Sequence, residues 1–208
     1  MRHPPLDPRG WEAALAGSRG RGPLPPLRGA SLLLLDLQRL FVDPVSPAFV
    51  SDWTEAGPRC AALLAAFRAR GLPVIWTRHL NPPGDDGGAA VRFGGRPLRA
   101  GDPLSALAEG WTPLPGEPVL CKARYSPWVG TGLAQLVPPG AALLIAGVTT
   151  HRCVLAAALE AATLDRVALV AADACATRDG ELHLSALRCL AAGLAHVAST
   201  AELLDALA

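Results

Sequence analysis

The sequence predicts one α/β domain of three layers: a mostly parallel, doubly wound sheet of about six strands, with helices on both faces. Three observations lead there. Short apolar runs of strand length recur from Ser31 onward without polar/apolar alternation, as expected of strands covered on both sides. Stretches of helical length separate these runs, and strand, helix, strand in repetition implies parallel neighbours joined by helices. Finally, 208 residues of which 50% are hydrophobic suffice for one substantial core and are few for two.

Residues 1–29, rich in Pro, Gly and Arg ("MRHPPLDPRG", "GRGPLPPLRG"), read as an irregular N-terminal arm with one short helix around Trp11 to Leu15. The domain spans residues 30–208. "SLLLLD" is the first strand, followed by a long connection, "LQRLFVDPVSPAFVSDWT". "EAGPRCAALLAAFRARG" reads as a helix closed by a glycine able to take a left-handed C-cap. The second strand, "LPVIWT", runs into another long connection, "RHLNPPGDDGGAAVRFGGRPLRAG". Then come the strand "EPVLCK", the short helix "GTGLAQLV", the strand "AALLIAG", the helix "RCVLAAALEAATLD", the strand "RVALVAAD" and the helix "GELHLSALRCLAAG". A last strand near "LAHVAST" and a helix "TAELLDALA", capped by Ser199 or Thr200, end the chain. Long loops after strand ends are where a doubly wound sheet builds its site.

Composition narrows the partners. Nineteen Lys and Arg stand against 18 Asp and Glu, so no strong field favours nucleic acid or an anionic membrane. The apolar runs fall well short of the roughly 18 residues of a membrane span, and the N-terminus lacks the apolar core of a signal peptide. The expectation is a soluble cytoplasmic protein that binds small molecules or copies of itself. Cys60, Cys121, Cys153, Cys175 and Cys189 are odd in number and form no C-x-x-C pair, which predicts free thiols rather than a disulfide framework or a zinc knuckle.

Ligands of open α/β sheets sit at the carboxyl ends of strands. There the first strand delivers Asp36 and the third Lys122, while the fourth leads through "GVTT" to Cys153. Each side chain has a plain reading: Asp36 as a turn former, Lys122 as a solvated strand end, Cys153 as a small core residue. Together they read as acid, base and nucleophile, with a helix start expected to lower the pKa of the Cys153 thiol. Cys60 and Cys189 fall in apolar helical patterns and read as core.

The segments "LLLLDLQRLFV", "VLCKARYSPWVGTGL" and "LLIAGVTTHRCVLAAALEAATLDRVALVAADACAT" resemble the isochorismatase-like cysteine hydrolase superfamily, which carries D-x-Q, K-x-R-Y-S and G-V-x-T-x-x-C-V in this order. The resemblance runs from about Ser31 to the C-terminus. It implies a catalytic triad of Asp36, Lys122 and Cys153 and a cis peptide between Val148 and Thr149. It also implies an oxyanion hole formed by the N–H groups of Thr149 and Cys153. No cofactor is implied, and relatives commonly assemble, so a homodimer or homotetramer is expected.

Departures from the family pattern bear on substrate. Nicotinamidase-type relatives hold a metal with Asp-x-His and a further His after the second strand. Here "TRHLNPPGDD" offers His79 and two aspartates, a weak set, and no metal is expected. Isochorismatases generally lack the cysteine; its presence favours acyl chemistry, and "WTRHLNPP" and "KARYSPW" look most like the branch that hydrolyses small amides, ureido and carbamoyl compounds. Gln38, Phe41, Arg124, Tyr125 and Trp128 are the candidate substrate-binding residues. Gln38 could instead hold the Asp36 carboxylate or a loop, Arg124 could be an exposed strand-end cation, and Phe41 could be core. Trp76 is a further wall candidate, equally readable as core. His151 reads as a surface or interface residue and His183 as a structural hydrogen-bonding one. Two other readings remain open: hydrolysis of an ether or ester, and a redox or binding protein in which Cys121 resolves an oxidised Cys153.

Overall fold

The structure, a computed structural model, describes Gly10, Leu15 and residues 23–93 and 95–208. Residues 11–14 of the helix expected around Trp11 to Leu15 lie outside the described residues; Leu15 itself is helical and fully buried. Six strands form one sheet: β1 (Ser31–Leu35), β2 (Val74–His79), β3 (Val119–Lys122), β4 (Ala142–Val148), β5 (Val167–Ala176) and β6 (His196–Ala198). Their order is β3-β2-β1-β4-β5-β6 and every pairing is parallel. The order reverses direction between β1 and β4, and the crevice beyond their carboxyl ends is where such sheets bind ligands.

From Leu27 onward the helices among the described residues are α1 (Arg39–Val42), α2 (Trp53–Ala69), α3 (Gly88–Arg92), α4 (Leu133–Leu136), α5 (Leu155–Thr163), α6 (Gly180–Ala191) and α7 (Thr200–Leu207). The short helices α1 and α3, and a 3-10 turn at Pro103–Ser105, lie within the two long connections. On α2, Pro58 forgoes its own N–H bond inside the helix, which continues nonetheless because one face carries Cys60, Leu63, Leu64 and Phe67 into the core. Ser199 and Glu202 form the reciprocal capping box of α7.

Period-2 geometry divides β1 between two cores. Leu32 and Leu34 face α2 and α7, together with Trp76, Phe67 and Leu203. Leu33 and Leu35 face α5 and α6, with Ile145, Ala158, Leu187 and Leu190. Both sides of β1 and β4 are therefore covered, which accounts for their unbroken apolar runs. β3 departs from that expectation: it is an edge strand, with Val119 and Cys121 exposed. Among the described residues no helix is long and apolar enough to cross a membrane.

Two local devices hold the crevice in register. Gly147 pairs with Leu35 at a φ of +117°, and a Cβ there would stand 2.4 Å from the Leu35 carbonyl oxygen, so only glycine lets β4 approach β1. Glu117, just before β3, accepts from Arg68 Nε and Nη2 at 2.7 and 2.8 Å, from Trp76 Nε1 at 2.8 Å and from the Leu114 N–H at 2.9 Å. One carboxylate thus ties α2, β2 and the approach to β3.

Candidate active site

Asp36 is the first residue beyond β1. Its φ of +55° is in the left-handed region, which costs a non-glycine residue about 1–2 kcal/mol and turns its side chain into the crevice. Lys122, the last residue of β3, stands in register with His79 at the end of β2. Both side chains are fully buried, and Lys122 Nζ lies 2.7 Å from Asp36 Oδ2. The same ammonium lies 3.3 Å from Cys153 Sγ and donates to the Arg124 carbonyl at 3.2 Å. The other carboxylate oxygen, Oδ1, accepts the Thr77 hydroxyl at 2.6 Å, while Thr77 Oγ1 accepts the Asp36 N–H at 3.1 Å.

Two strand ends and the turn after a third thus bring an acid, a cation and a thiol into one buried site, where a lost partner would leave a buried charge uncompensated. Burial alone would lower the pKa of Lys122, but the Asp36 and Cys153 partners overcome it and the ammonium is held in its charged form. The thiol goes the other way. Burial pushes Cys153 up to about 12, with Asp36 adding to the rise and Lys122 opposing it. This runs against the expectation of a thiol acidified by a helix start: desolvation and Asp36 outweigh the Lys122 cation, so the proton rests on sulfur until a base removes it.

The backbone around the thiol also differs from a plain helix start. The Val148–Thr149 peptide is cis, and Thr150–Val154 form a π-type turn before α5 begins. The N–H groups of Arg152 and Val154 both donate to the Thr149 carbonyl, at 3.1 and 3.3 Å, while that of Cys153 is not among its donors.

The other candidates divide. Gln38 is fully buried with its amide spent on backbone: Nε2 donates to the carbonyls of His79 and Ser105, at 3.2 and 2.8 Å, and Oε1 accepts the His79 N–H at 2.7 Å. It pins β2 to the second long connection and has nothing left for a substrate. Trp128 is buried in the same α5-side core as Cys153, and its indole N–H is taken by the Ala157 carbonyl at 2.9 Å. Its polar atom is likewise unavailable, though its ring shares the thiol's surroundings. Trp76 belongs to the opposite core, its N–H on Glu117, and is no wall of this site. Phe41 packs half-buried against that same opposite core. Tyr125 lies on the Cys153 side, with the Arg152 guanidinium 5.9 Å from its ring centroid.

Arg124 contributes its carbonyl to Lys122 and its side chain to a neighbouring groove of about 560 Å³, lined also by Asn81, Asp85, Arg99, Cys121 and Val129. There its guanidinium pairs with Asp85 Oδ2 at 3.0 Å. His79 is buried, and burial together with Lys122 lowers its pKa. Asp85 is committed to Arg124, Asn81 and the Gly87 N–H. Among the described residues no three His, Cys, Asp or Glu side chains converge as metal ligands.

Sequence reasoning missed Thr77, whose only signal is a hydroxyl ending the apolar run "VIWT". It also missed the pairing of Thr150 with His183 and of Thr177 with His151, at 2.9 and 2.8 Å. These join residues 33 and 26 positions apart, and no local pattern announces them.

The sequence model of the Isochorismatase domain matches residues 30–202. The maleamate amidohydrolase of Pseudomonas putida is 32% identical over 140 residues, which are 64% of this chain and 66% of that enzyme. A probable isochorismatase of Pseudomonas chlororaphis is 27% identical over 176 residues, 83% of this chain and 84% of that protein. Among solved structures, an isochorismatase family protein from Desulfovibrio vulgaris superposes with a TM-score of 0.77 at 30% identity, covering 86% of this chain and 98% of its own.

Proposed function

Because the chain belongs to the isochorismatase family of hydrolases, we propose that it cleaves the C–N bond of a small amide, ureido or carbamoyl compound through a thioester on Cys153. One observation carries this reading. Lys122 Nζ bridges Asp36 Oδ2 at 2.7 Å and Cys153 Sγ at 3.3 Å in a buried site, the arrangement that base-assisted thiol attack requires. The likeness to maleamate amidohydrolase supports the same bond class.

In this mechanism Asp36 takes the thiol proton as sulfur attacks the carbonyl carbon. A thiol held at about 12 needs that base, and Lys122 then neutralises the thiolate. The N–H groups of Thr149 and Cys153 receive the developing oxyanion. Collapse breaks the C–N bond while the proton passes from Asp36 to the leaving nitrogen, which departs as ammonia or an amine. Water then gives a proton to Asp36 as its oxygen attacks the thioester. The acid leaves, and the proton returns to sulfur.

The isochorismatase likeness keeps vinyl-ether cleavage as a second reading, which would not need the thiol. The test is release of ammonia or amine from a panel of maleamate, N-carbamoyl amino acids and neutral short-chain amides, with esters and isochorismate alongside. The expected result is turnover of at least one C–N substrate, abolished in Cys153→Ala. Ether cleavage that survives Cys153→Ala, with no C–N turnover, would reverse the choice.

A further inference from the structure

The three residues between the cis peptide and Cys153 each reach a different part of the fold. Thr150 Oγ1 is paired with Nδ1 of His183, in the first turn of α6, at 2.9 Å. His151 Nδ1 is paired at 2.8 Å with Oγ1 of Thr177, just beyond β5. The Arg152 guanidinium sits over Tyr125, beyond β3. Thr150 and Thr177 are buried, so bulk water cannot replace these partners and an unpaired hydroxyl would carry its full desolvation cost.

Such bracing has a physical reason. A π-type turn fits one more residue into its ring than an α turn, is rare, and occurs mostly as single turns at functional sites. The turn at Thr150–Val154 is closed by the N–H groups of Val154 and Leu155 on the Thr149 and Thr150 carbonyls and passes directly into the regular helix α5, so side-chain partners outside it add to the bonds that keep it wide. His183 is suited to this because burial holds its imidazole down at about 4, so at neutral pH the ring is uncharged and one nitrogen can accept a hydroxyl proton.

We propose that His183, acting through Thr150, is a positioning residue that holds the Thr150–Val154 turn in the wide form that aims the Cys153 sulfur and N–H at one point. This rests on the hydrolase reading above. Neither side chain need touch substrate; the brace acts on the geometry of attack, where displacements of about 1 Å can cost about a hundredfold in rate.

The test compares wild type with Thr150→Val, His183→Leu, His183→Asn and the Thr150→Val/His183→Leu double variant. It measures kcat and KM on the best C–N substrate, and hydrogen exchange of peptides covering residues 149–155. Thr150→Val keeps the buried shape without the hydroxyl, and the Asn amide can reach the place of Nδ1. In Thr150→Val and His183→Leu, kcat should fall by about tenfold to a hundredfold with KM within about twofold, as expected of misplacement rather than lost binding. Exchange should quicken over residues 149–155 and not in α2 or the sheet. His183→Asn should recover most of the loss, and the double variant should be no worse than the poorer single. The proposal is overturned if both single variants keep kcat within about twofold with unchanged exchange, if exchange quickens equally throughout the molecule, or if His183→Asn is as impaired as His183→Leu. If wild type hydrolyses none of the panel, the hydrolase reading fails on its own, and the exchange comparison still decides the brace.

Discussion

At Cys153 two effects of opposite sign compete, and their balance decides how the thiol must be used. Burial and the Asp36 carboxylate keep the proton on sulfur, while Lys122 works against them. Replacing Asp36 by Asn removes one force that raises the thiol pKa and leaves the cation in place. Asp36→Asn should therefore alkylate faster at Cys153 with iodoacetamide at a fixed pH near 8, while losing hydrolysis because the base is gone. Peptide mapping of the labelled thiols checks this; slower alkylation at Cys153 would show that Asp36 does not hold the proton on sulfur. The placement of Asp36, Lys122 and Cys153 at one end of the sheet was legible in the sequence because each ends or follows an apolar strand run. The direction of the thiol shift was not, because it depends on how completely three separate strand ends exclude water. Gln38 shows the same limit: its place two residues after Asp36 was plain, but only the fold reveals that its amide is consumed by His79 and Ser105.

The elements were legible to the extent that each has a periodic pattern long enough to recognise. All six strands and the longer helices α2, α5, α6 and α7 fall on the runs that predicted them. The single turns α1 and α3 did not stand out. Around α1 tertiary contacts take over: Ala108 donates to the Leu37 carbonyl at 2.9 Å and Arg39 to that of Ala106 at 2.9 Å. The π-type turn was invisible for a related reason, because one extra residue in one turn leaves the apolar spacing of "RCVLAAALEAA" intact. Glu117 offers a test at this scale. Arg68, ahead of the burial that opposes it, draws its pKa from 4.5 down to about 2. The folded value lies below the unfolded one, so the stabilisation is full above about 4.5 and is lost as pH falls through about 2. Glu117→Gln should lower unfolding stability at pH 7 by up to about 3 kcal/mol, the equivalent of that shift. Urea titrations of both proteins should converge as pH approaches the folded value. A gap that persists unchanged to pH 3 and below would assign the effect to packing instead. Gly147→Ala should be at least as damaging, because its new Cβ would meet the Leu35 carbonyl oxygen at 2.4 Å.

On the scale of the whole molecule, the order β3-β2-β1-β4-β5-β6 sets Asp36 and Cys153 on neighbouring strand ends where the sheet reverses, and Lys122 reaches them from the edge strand across β2. The parallel sheet and its covered faces were legible from alternating element types, but the strand order and the exposed edge at β3 were not, since no local pattern says which strands are neighbours. We further propose that the chain assembles as a homodimer or homotetramer. Leu159 and Leu164, on and just beyond α5, and Leu182 on α6 present apolar side chains outward. Light scattering at micromolar concentration should return two or four times 21.5 kDa, and a 21.5 kDa species would contradict it. The central claim is that three residues from three strand ends act as one unit in one chemical step, and a double-mutant cycle on hydrolysis tests it most directly. kcat should fall by about a thousandfold or more in Asp36→Asn and in Cys153→Ala, with the double variant no worse than either, since groups serving one step are not additive. Asp36→Asn within about tenfold of wild type, or losses that multiply in the double variant, would contradict the account.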